Sequence, residues 1–363
     1  MIPILYILAN TQIAGSEKEL LMMLKYTSRD VFLPYIVVHD KGPLYQLLCE
    51  KNESVFVLSR YGRLDPLYYI RLWRFLKKYH IRLMILSNRI PGLLGRLLRI
   101  RSVQRCNQPV QRLAKFGRLP GVNSFLYGGI DHLICVSQSI LDDIALLEKI
   151  SPEKMSVIYN GIELEDLPQG DISAFRKQYD LNDSGKIVGL LGRLHPQKGI
   201  EYFLDAIPLI LQEFPDCWFL LCGSGELESS LKQQSQSLGI ASRVRFLGFQ
   251  REALKILSCF DISVMSSRWE GFPFVALETF SLQKPLVATR VGGIPELVDE
   301  TNGILVEPEN ATHLALGILK LLKDPKLTQQ LAQAGYEKVK IHYSGQTMAQ
   351  QTEALYLRLL AKN

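Results

Sequence analysis

The sequence has 363 residues, 47% of them hydrophobic and 21% charged, which suits two folded α/β domains and excludes a disordered chain. Its formal net charge of +6 excludes a strongly acidic protein, and no apolar run reaches the roughly 18 to 20 residues needed to span a bilayer. The charge is uneven: residues 1–165 hold 22 Lys/Arg against 14 Asp/Glu, and the rest hold 20 against 22.

The opening stretch 2–9 is apolar but short, with no basic segment before it, and reads as a first strand rather than a signal peptide. Apolar, β-rich runs place that strand over 3–8 and predict further ones over 35–38, 55–58, 83–86, 133–136 and 157–159. Helical periodicity falls between them, over 16–26, 44–50, 67–79, 93–99 and 139–148. Continuous apolar strands alternating with helices point to a parallel sheet covered on both faces. Between Asp65 and Asp131 there are 13 Lys/Arg and no acid, interleaved with Trp73, Phe75, Leu93, Leu94, Leu97 and Leu98. A solvated basic face is one reading; a surface that meets anionic lipid or an anionic acceptor is favoured over it. No nucleic-acid motif accompanies the charge, so no nucleic-acid partner is expected.

The pattern weakens over 160–185, rich in Gly, Asp, Asn and Ser, which reads as an interdomain connection with one short helix over 174–179. A second series follows, with strands over 187–191, 218–222, 244–247, 262–266, 286–289 and 304–306. Helices are expected over 200–213, 227–238, 252–259, 274–281 and 314–323, and two more close the chain over 326–342 and 346–360. The six cysteines form no C-x-x-C pair and have no histidine cluster nearby, so buried, reduced thiols are expected.

The segment from Glu270 to Glu278 carries the strongest chemical signal. Pro273 suits the first turn of a helix, because the N–H it lacks would have no partner there. Glu270 then lies in the loop before the helix, and Glu278 sits about one and a half turns inside it, on the face of Phe274. A helix N-terminus offers N–H groups and partial positive charge to a diphosphate or to sugar hydroxyls. A carboxylate such as Glu278 can accept hydrogen bonds from two adjacent hydroxyls, as on a ribose. Gly192-Arg193 and Lys198-Gly199 flank a loop at the end of a strand, and both cations suit phosphate oxygens. Gly223 and Gly225 mark a further glycine turn, and Gly292-Gly293 another. Neither first strand leads into G-x-G-x-x-G, so there is no nicotinamide fingerprint.

Together these residues resemble glycosyltransferase family 4, retaining enzymes with two Rossmann-like doubly wound domains facing a central cleft, the GT-B fold. The resemblance implies an acceptor-binding domain over 1–165, a nucleotide-sugar-binding domain over 166–342, and a C-terminal helix over 343–363 packing back on the first domain. Arg193 and Lys198 match the family's diphosphate-binding pair, and Glu270 and Glu278 its paired glutamates, the first beside the donor sugar and the second on the ribose. Catalytic roles thus fall to Glu270, Arg193 and Lys198; donor contacts fall to Gly15, Gly192, Gly223, Gly225, Gly271, Phe272, Pro273, Phe274 and Glu278. Residues 157–162 resemble the interdomain signature. The strand over 131–137 makes His132 a packing residue. Two departures stand out. The family's double glycine is Ala14-Gly15 here, so only Gly15 carries over, and the family's donor-side histidine has Asn107 or Gln108 in its place.

No Asp-x-Asp triplet occurs, so the expected mechanism is metal-independent, with positive charge from Arg193, Lys198 and helix N-termini. The implied activity moves a hexose-type sugar from a UDP- or GDP-sugar, without a cofactor, to a glycan or lipid-linked acceptor of cell-envelope polysaccharide or lipopolysaccharide type. The implied location is cytoplasmic, peripheral on the inner face of the cell membrane. Three rivals stay open: a sugar-nucleotide epimerase, a phosphorylase using pyridoxal phosphate, and a catalytically silent sugar-nucleotide or lipid-binding protein. The sugar and base are not encoded in a readable way; base contacts are expected near residues 248–250.

Overall fold

The structure, a computed structural model, describes residues 1–8, 15–62, 65–109, 126–165, 167–181 and 185–361. The chain divides into two compact units, one of 1–161 with 345–363 and one of 162–344.

The first unit is built on seven parallel strands: β1 (Ile2–Ile7), β2 (Phe32–Val38), β3 (Val55–Val57), β4 (Leu83–Leu86), β5 (Arg101–Cys106), β6 (His132–Cys135) and β7 (Met155–Val157), in spatial order β3-β2-β1-β4-β5-β6-β7. Order reverses between β1 and β4, the switch point at which open α/β sheets leave a crevice beyond their strand ends. Strands such as β4 and β6 are buried throughout, which is why they read as unbroken apolar runs. The helix Gly345–Ala361 packs on the helix Gly15–Tyr26. It buries Met348, Leu355, Tyr356 and Leu359, and the Tyr356 ring meets Phe32 edge-on at 6.1 Å. Each such side chain contributes about 1.5 to 3 kcal/mol of burial.

One strand escaped the sequence reading. β5 reads Arg-Ser-Val-Gln-Arg-Cys, yet five of its six residues are buried. Several of its polar groups are met individually. Ser102 Oγ donates to Gly129 O at 2.8 Å, and Arg105 Nη2 donates to Ile158 O at 2.9 Å and to Asn160 Oδ1 at 3.1 Å.

The second unit has six parallel strands: β8 (Ile187–Leu191), β9 (Trp218–Cys222), β10 (Val244–Gly248), β11 (Ile262–Met265), β12 (Leu286–Thr289) and β13 (Ile304–Val306), in order β10-β9-β8-β11-β12-β13. The reversal falls between β8 and β11. The helices Ile200–Glu213 and Ala311–Lys323 pack together over this sheet, with Phe203, Ile207, Leu314 and Ile318 fully or almost fully buried. Both units are thus doubly wound α/β layers.

All six cysteines are free thiols, but Cys49 is exposed, a correction to the expectation of uniform burial. It ends up at the surface because the helix Pro43–Glu50 turns only Leu44 and Leu48 inward. Burial pushes the Cys222 thiol up to about 12, which keeps it protonated and inert. No described helix is long and apolar enough to cross a membrane.

Candidate functional site

Four loops leave the carboxyl ends of β8, β9, β11 and β12 and interlock at the switch point of the second sheet. After β8, Gly192 N donates to Cys222 O at 2.9 Å and Leu194 N to Ser224 O at 3.0 Å, joining this loop to the one after β9. Gly223, at φ +145°, lies so close that a Cβ there would come 1.9 Å from Gly192 O. Gly225 packs in the same way on Leu194. A Cβ at Gly192 would press on the stem of Lys198 at 3.3 Å, so this glycine clears the path of the lysine.

The loop after β11 carries Ser266, Ser267 and Glu270. Ser266 Oγ donates to Lys198 O at 2.9 Å. Glu270 is 5% exposed and held from three sides: Lys198 Nζ at 2.5 Å, Ser267 Oγ at 2.7 Å and Gln197 Nε2 at 3.3 Å. Gln197 also donates to Trp269 O at 3.1 Å. The loop after β12 closes the set, with Thr289 Oγ1 donating to Ser267 O at 2.6 Å and Gly293 N to Gly271 O at 2.9 Å. Gly292, at φ +53°, lets this loop approach so closely that a Cβ would lie 1.9 Å from Glu270 O.

The helix Phe274–Ser281 begins as the sequence predicts, though Pro273 stands one residue earlier than expected, as its N-cap. Glu278 is buried within it. Gly271, Phe272 and Pro273 are buried and Phe274 half-buried; the Phe272 ring packs on Tyr343 with centroids 5.2 Å apart. Arg193 is exposed, with Gln197 Oε1 3.5 Å from its guanidinium. The structure therefore brings together Lys198, Glu270, Gly192 and Gly271, with Gly223 and Gly225 beneath the same loops. Gln197 and Ser267 belong to this assembly and escaped the sequence reading; Gly292, which the sequence marks only as a glycine turn, belongs to it too. Among the described residues no three His, Cys, Asp or Glu side chains gather as a metal site. A cavity of about 310 Å³ in this unit lies beside Lys186, Asp261 and Pro285, at the amino ends of β8, β11 and β12, and holds none of the motif residues.

The first unit has its own cavity, about 270 Å³, at its switch point, lined by Tyr6, Glu17, Ser87, Arg105, Asn107 and Gln108 among others. Gly15 opens the helix that brings Glu17 and Glu19 there, while the loop 9–14 lies outside the described residues. Burial pushes the Glu19 carboxyl above the ordinary range, offset by Arg105, whose Nε lies 3.2 Å from Glu19 Oε2, and by a hydrogen bond with Asn107. Asn88, next after Ser87, has both amide atoms buried without a partner among the described residues, and the sequence reading missed it. His132 Nε2 lies 2.7 Å from Ser156 Oγ within the sheet.

Comparison with known proteins gives these loops a context. The family model described as "Glycosyl transferases group 1" matches residues 171–338, and that described as "Glycosyltransferase Family 4" matches residues 29–166. The chain belongs to glycosyltransferase family 4. It is 32% identical to an uncharacterized glycosyltransferase of Methanocaldococcus jannaschii, over 62% of this chain and 59% of the relative. It is 26% identical to the UDP-Gal:alpha-D-GlcNAc-diphosphoundecaprenol alpha-1,3-galactosyltransferase of Escherichia coli, over 87% of this chain and 86% of the relative. The chain thus spans about three fifths of the first relative's length. In fold it resembles HepE of Anabaena, solved in complex with UDP and glucose, with a TM-score of 0.86, 23% identity and coverage of 98% of this chain and 99% of that one. The two doubly wound sheets are accordingly those of the GT-B glycosyltransferases, and the matched segments of this family 4 chain include the switch point of the second unit, β8 and β11, and of the first unit's switch point only the β4 side.

Proposed function

We propose that this family 4 chain moves a hexose-type sugar from a UDP- or GDP-sugar to a hydroxyl of a glycan or lipid-linked acceptor, with retention and without a metal ion. The observation that carries the reading is the Lys198–Glu270 pair, fixed on interlocked loops with Glu278 buried in the helix that follows. With no donor present, Glu270 neutralises Lys198. A donor diphosphate gives Lys198 a second anion, and exposed Arg193 reaches the same oxygens from the preceding loop. The bond between the anomeric carbon and the diphosphate oxygen breaks while the acceptor oxygen forms its bond on the same face. The acceptor proton passes to the departing diphosphate. Charge builds on the diphosphate oxygens, where the two cations stabilise it.

Glu270 takes donor hydroxyls, kept in place by Ser267 and Gln197, and Glu278 takes the ribose. Gly15, Gly192, Gly223, Gly225, Gly271, Phe272, Pro273 and Phe274 shape the loops around the donor. Asn107 or Gln108, both lining the first unit's cavity, stands in for the family's histidine. The acceptor is of cell-envelope polysaccharide or lipopolysaccharide type, met in the cytoplasm at the inner face of the membrane. The lipid diphosphate acceptor in the name of the Escherichia coli relative and the UDP in the HepE structure support this reading.

The test is a thermal-shift screen of UDP- and GDP-sugars. A ligand at 100 times its dissociation constant adds ~2.7 kcal/mol of stability. The stabilising donor is then supplied with glycan and lipid-linked acceptors, in excess chelator, and the first glycoside is read by proton NMR. No stabilisation by any nucleotide diphosphate overturns the donor site. An inverted anomeric signal overturns retention. Activity lost in chelator and restored by magnesium or manganese overturns the metal-free step.

A further inference from the structure

The helix Pro66–Lys78 has two apolar faces. Tyr68, Leu72, Phe75 and Leu76 are buried in the first unit. On the opposite side Leu67, Ile70 and Trp73 are 67%, 46% and 38% exposed. Their spacing of three residues sets them in one stripe. Single exposed apolar side chains are ordinary on a protein surface; an aligned Leu, Ile and Trp on one helix is not. Tyr61, 89% exposed, stands just before the helix. The stripe is bordered by cations: Arg74, Lys77 and Lys78 are exposed, and the Lys77 ammonium lies 4.7 Å from the Trp73 ring centroid. The helix holds no acid, and its N-cap Asp65 is occupied by the N–H groups of Tyr61, Leu67 and Tyr68. Of the other interleaved apolar residues on this basic stretch, Phe75 is buried, Leu93, Leu94 and Leu98 are half-buried, and Leu97 is exposed.

Charge selects the occupant. A second copy meeting this face across a two-fold axis would set the same cations against one another. An anionic lipid surface satisfies both parts of the face: the interface accepts Trp, Leu and Ile, and lysine stems snorkel so that their ammonium groups reach phosphate. We propose that the outer face of the helix Pro66–Lys78 docks on an anionic bilayer, with Leu67, Ile70 and Trp73 at headgroup depth and Arg74, Lys77 and Lys78 on lipid phosphates. The inference rests on the reading of a membrane-held acceptor, and its test is separable from the donor screen above.

The full chain is mixed with vesicles of phosphatidylcholine alone and of phosphatidylcholine with phosphatidylglycerol, at low and high salt, and binding is read by sedimentation and tryptophan emission. The chain has 3 Trp, and Trp218 is buried, so a lipid-dependent blue shift that vanishes in Trp73→Phe reports this face. Binding is expected only to the anionic vesicles, weakening as salt screens the charge. Arg74→Glu with Lys77→Glu should lower partitioning by at least about tenfold. Leu67→Ser with Ile70→Ser should weaken it also, with circular dichroism and the nucleotide thermal shift unchanged, because all four positions are exposed. Equal or negligible binding to both vesicle types at low salt overturns the proposal, as does binding that survives both double variants. A blue shift without lipid that grows with protein concentration assigns the face to self-association and overturns it too.

Discussion

Lys198 and Arg193 serve one anion but differ in what their loss does to the fold. Lys198 and Glu270 are 16% and 6% exposed at their side chains, so removing the lysine strands a buried carboxylate. Lys198→Ala should cost about 3 kcal/mol or more of stability. Removing both partners, as Lys198→Ala with Glu270→Ala, should regain much of that loss without regaining activity, and thermal unfolding of both variants with the single Glu270→Ala completes the cycle. A double variant whose loss equals the sum of the two single losses would mean the pair is not coupled. Arg193, exposed, should change stability by no more than about 0.5 kcal/mol when replaced by Ala, while turnover falls by roughly 100-fold. Glu278→Gln keeps the shape and loses the charged acceptor, so affinity for the free nucleoside diphosphate should fall by about tenfold, read by titration calorimetry.

At the scale of elements, the loops at the switch point depend on one another's backbones. Gly292→Ala would place a Cβ on Glu270 O at a left-handed φ, costing about 1 kcal/mol for the conformation and roughly 1 to 3 more for the displaced neighbour. Calorimetric unfolding should show that loss, together with reduced turnover, although Gly292 touches no donor in the proposed site; a fully active, fully stable variant would contradict it. Such dependence also sets what the sequence could disclose. Strands β8, β9 and β12 were legible to the residue because burial on both faces leaves only apolar residues to read. β5 was not, because Ser102, Gln104 and Arg105 lie in the interior through partners distant in sequence, among them Glu19, Asp131 and Asn160. The same holds in the site. Glu270 and Glu278 announce themselves by their place after a strand, whereas Gln197 and Ser267 matter only through the carboxylate they hold, 73 and 3 residues away. A buried hydrogen bond leaves no period in the sequence.

At the scale of the whole molecule, the first unit is discontinuous, with residues 1–161 and 345–363 separated by the second. The helix Gly345–Ala361 supplies Met348, Leu355, Tyr356 and Leu359 to the first unit's core. Losing even two such side chains costs about 4 kcal/mol or more, a large part of a domain's stability. A chain ending at Ser344 should therefore keep a protease-resistant second unit while the first is digested, as read by limited proteolysis and mass spectrometry. Survival of an intact first unit would show the helix to be dispensable. The same arrangement sets the order in which the protein can fold during its own synthesis. β1 to β7 leave the ribosome first, yet Phe32 has no Tyr356 to cover it until a further stretch of roughly 180 residues has been made. At ordinary elongation rates that wait is about 10 to 40 s, so the half of the molecule made first is completed last, and its open core is the surface that the cell's chaperones would meet.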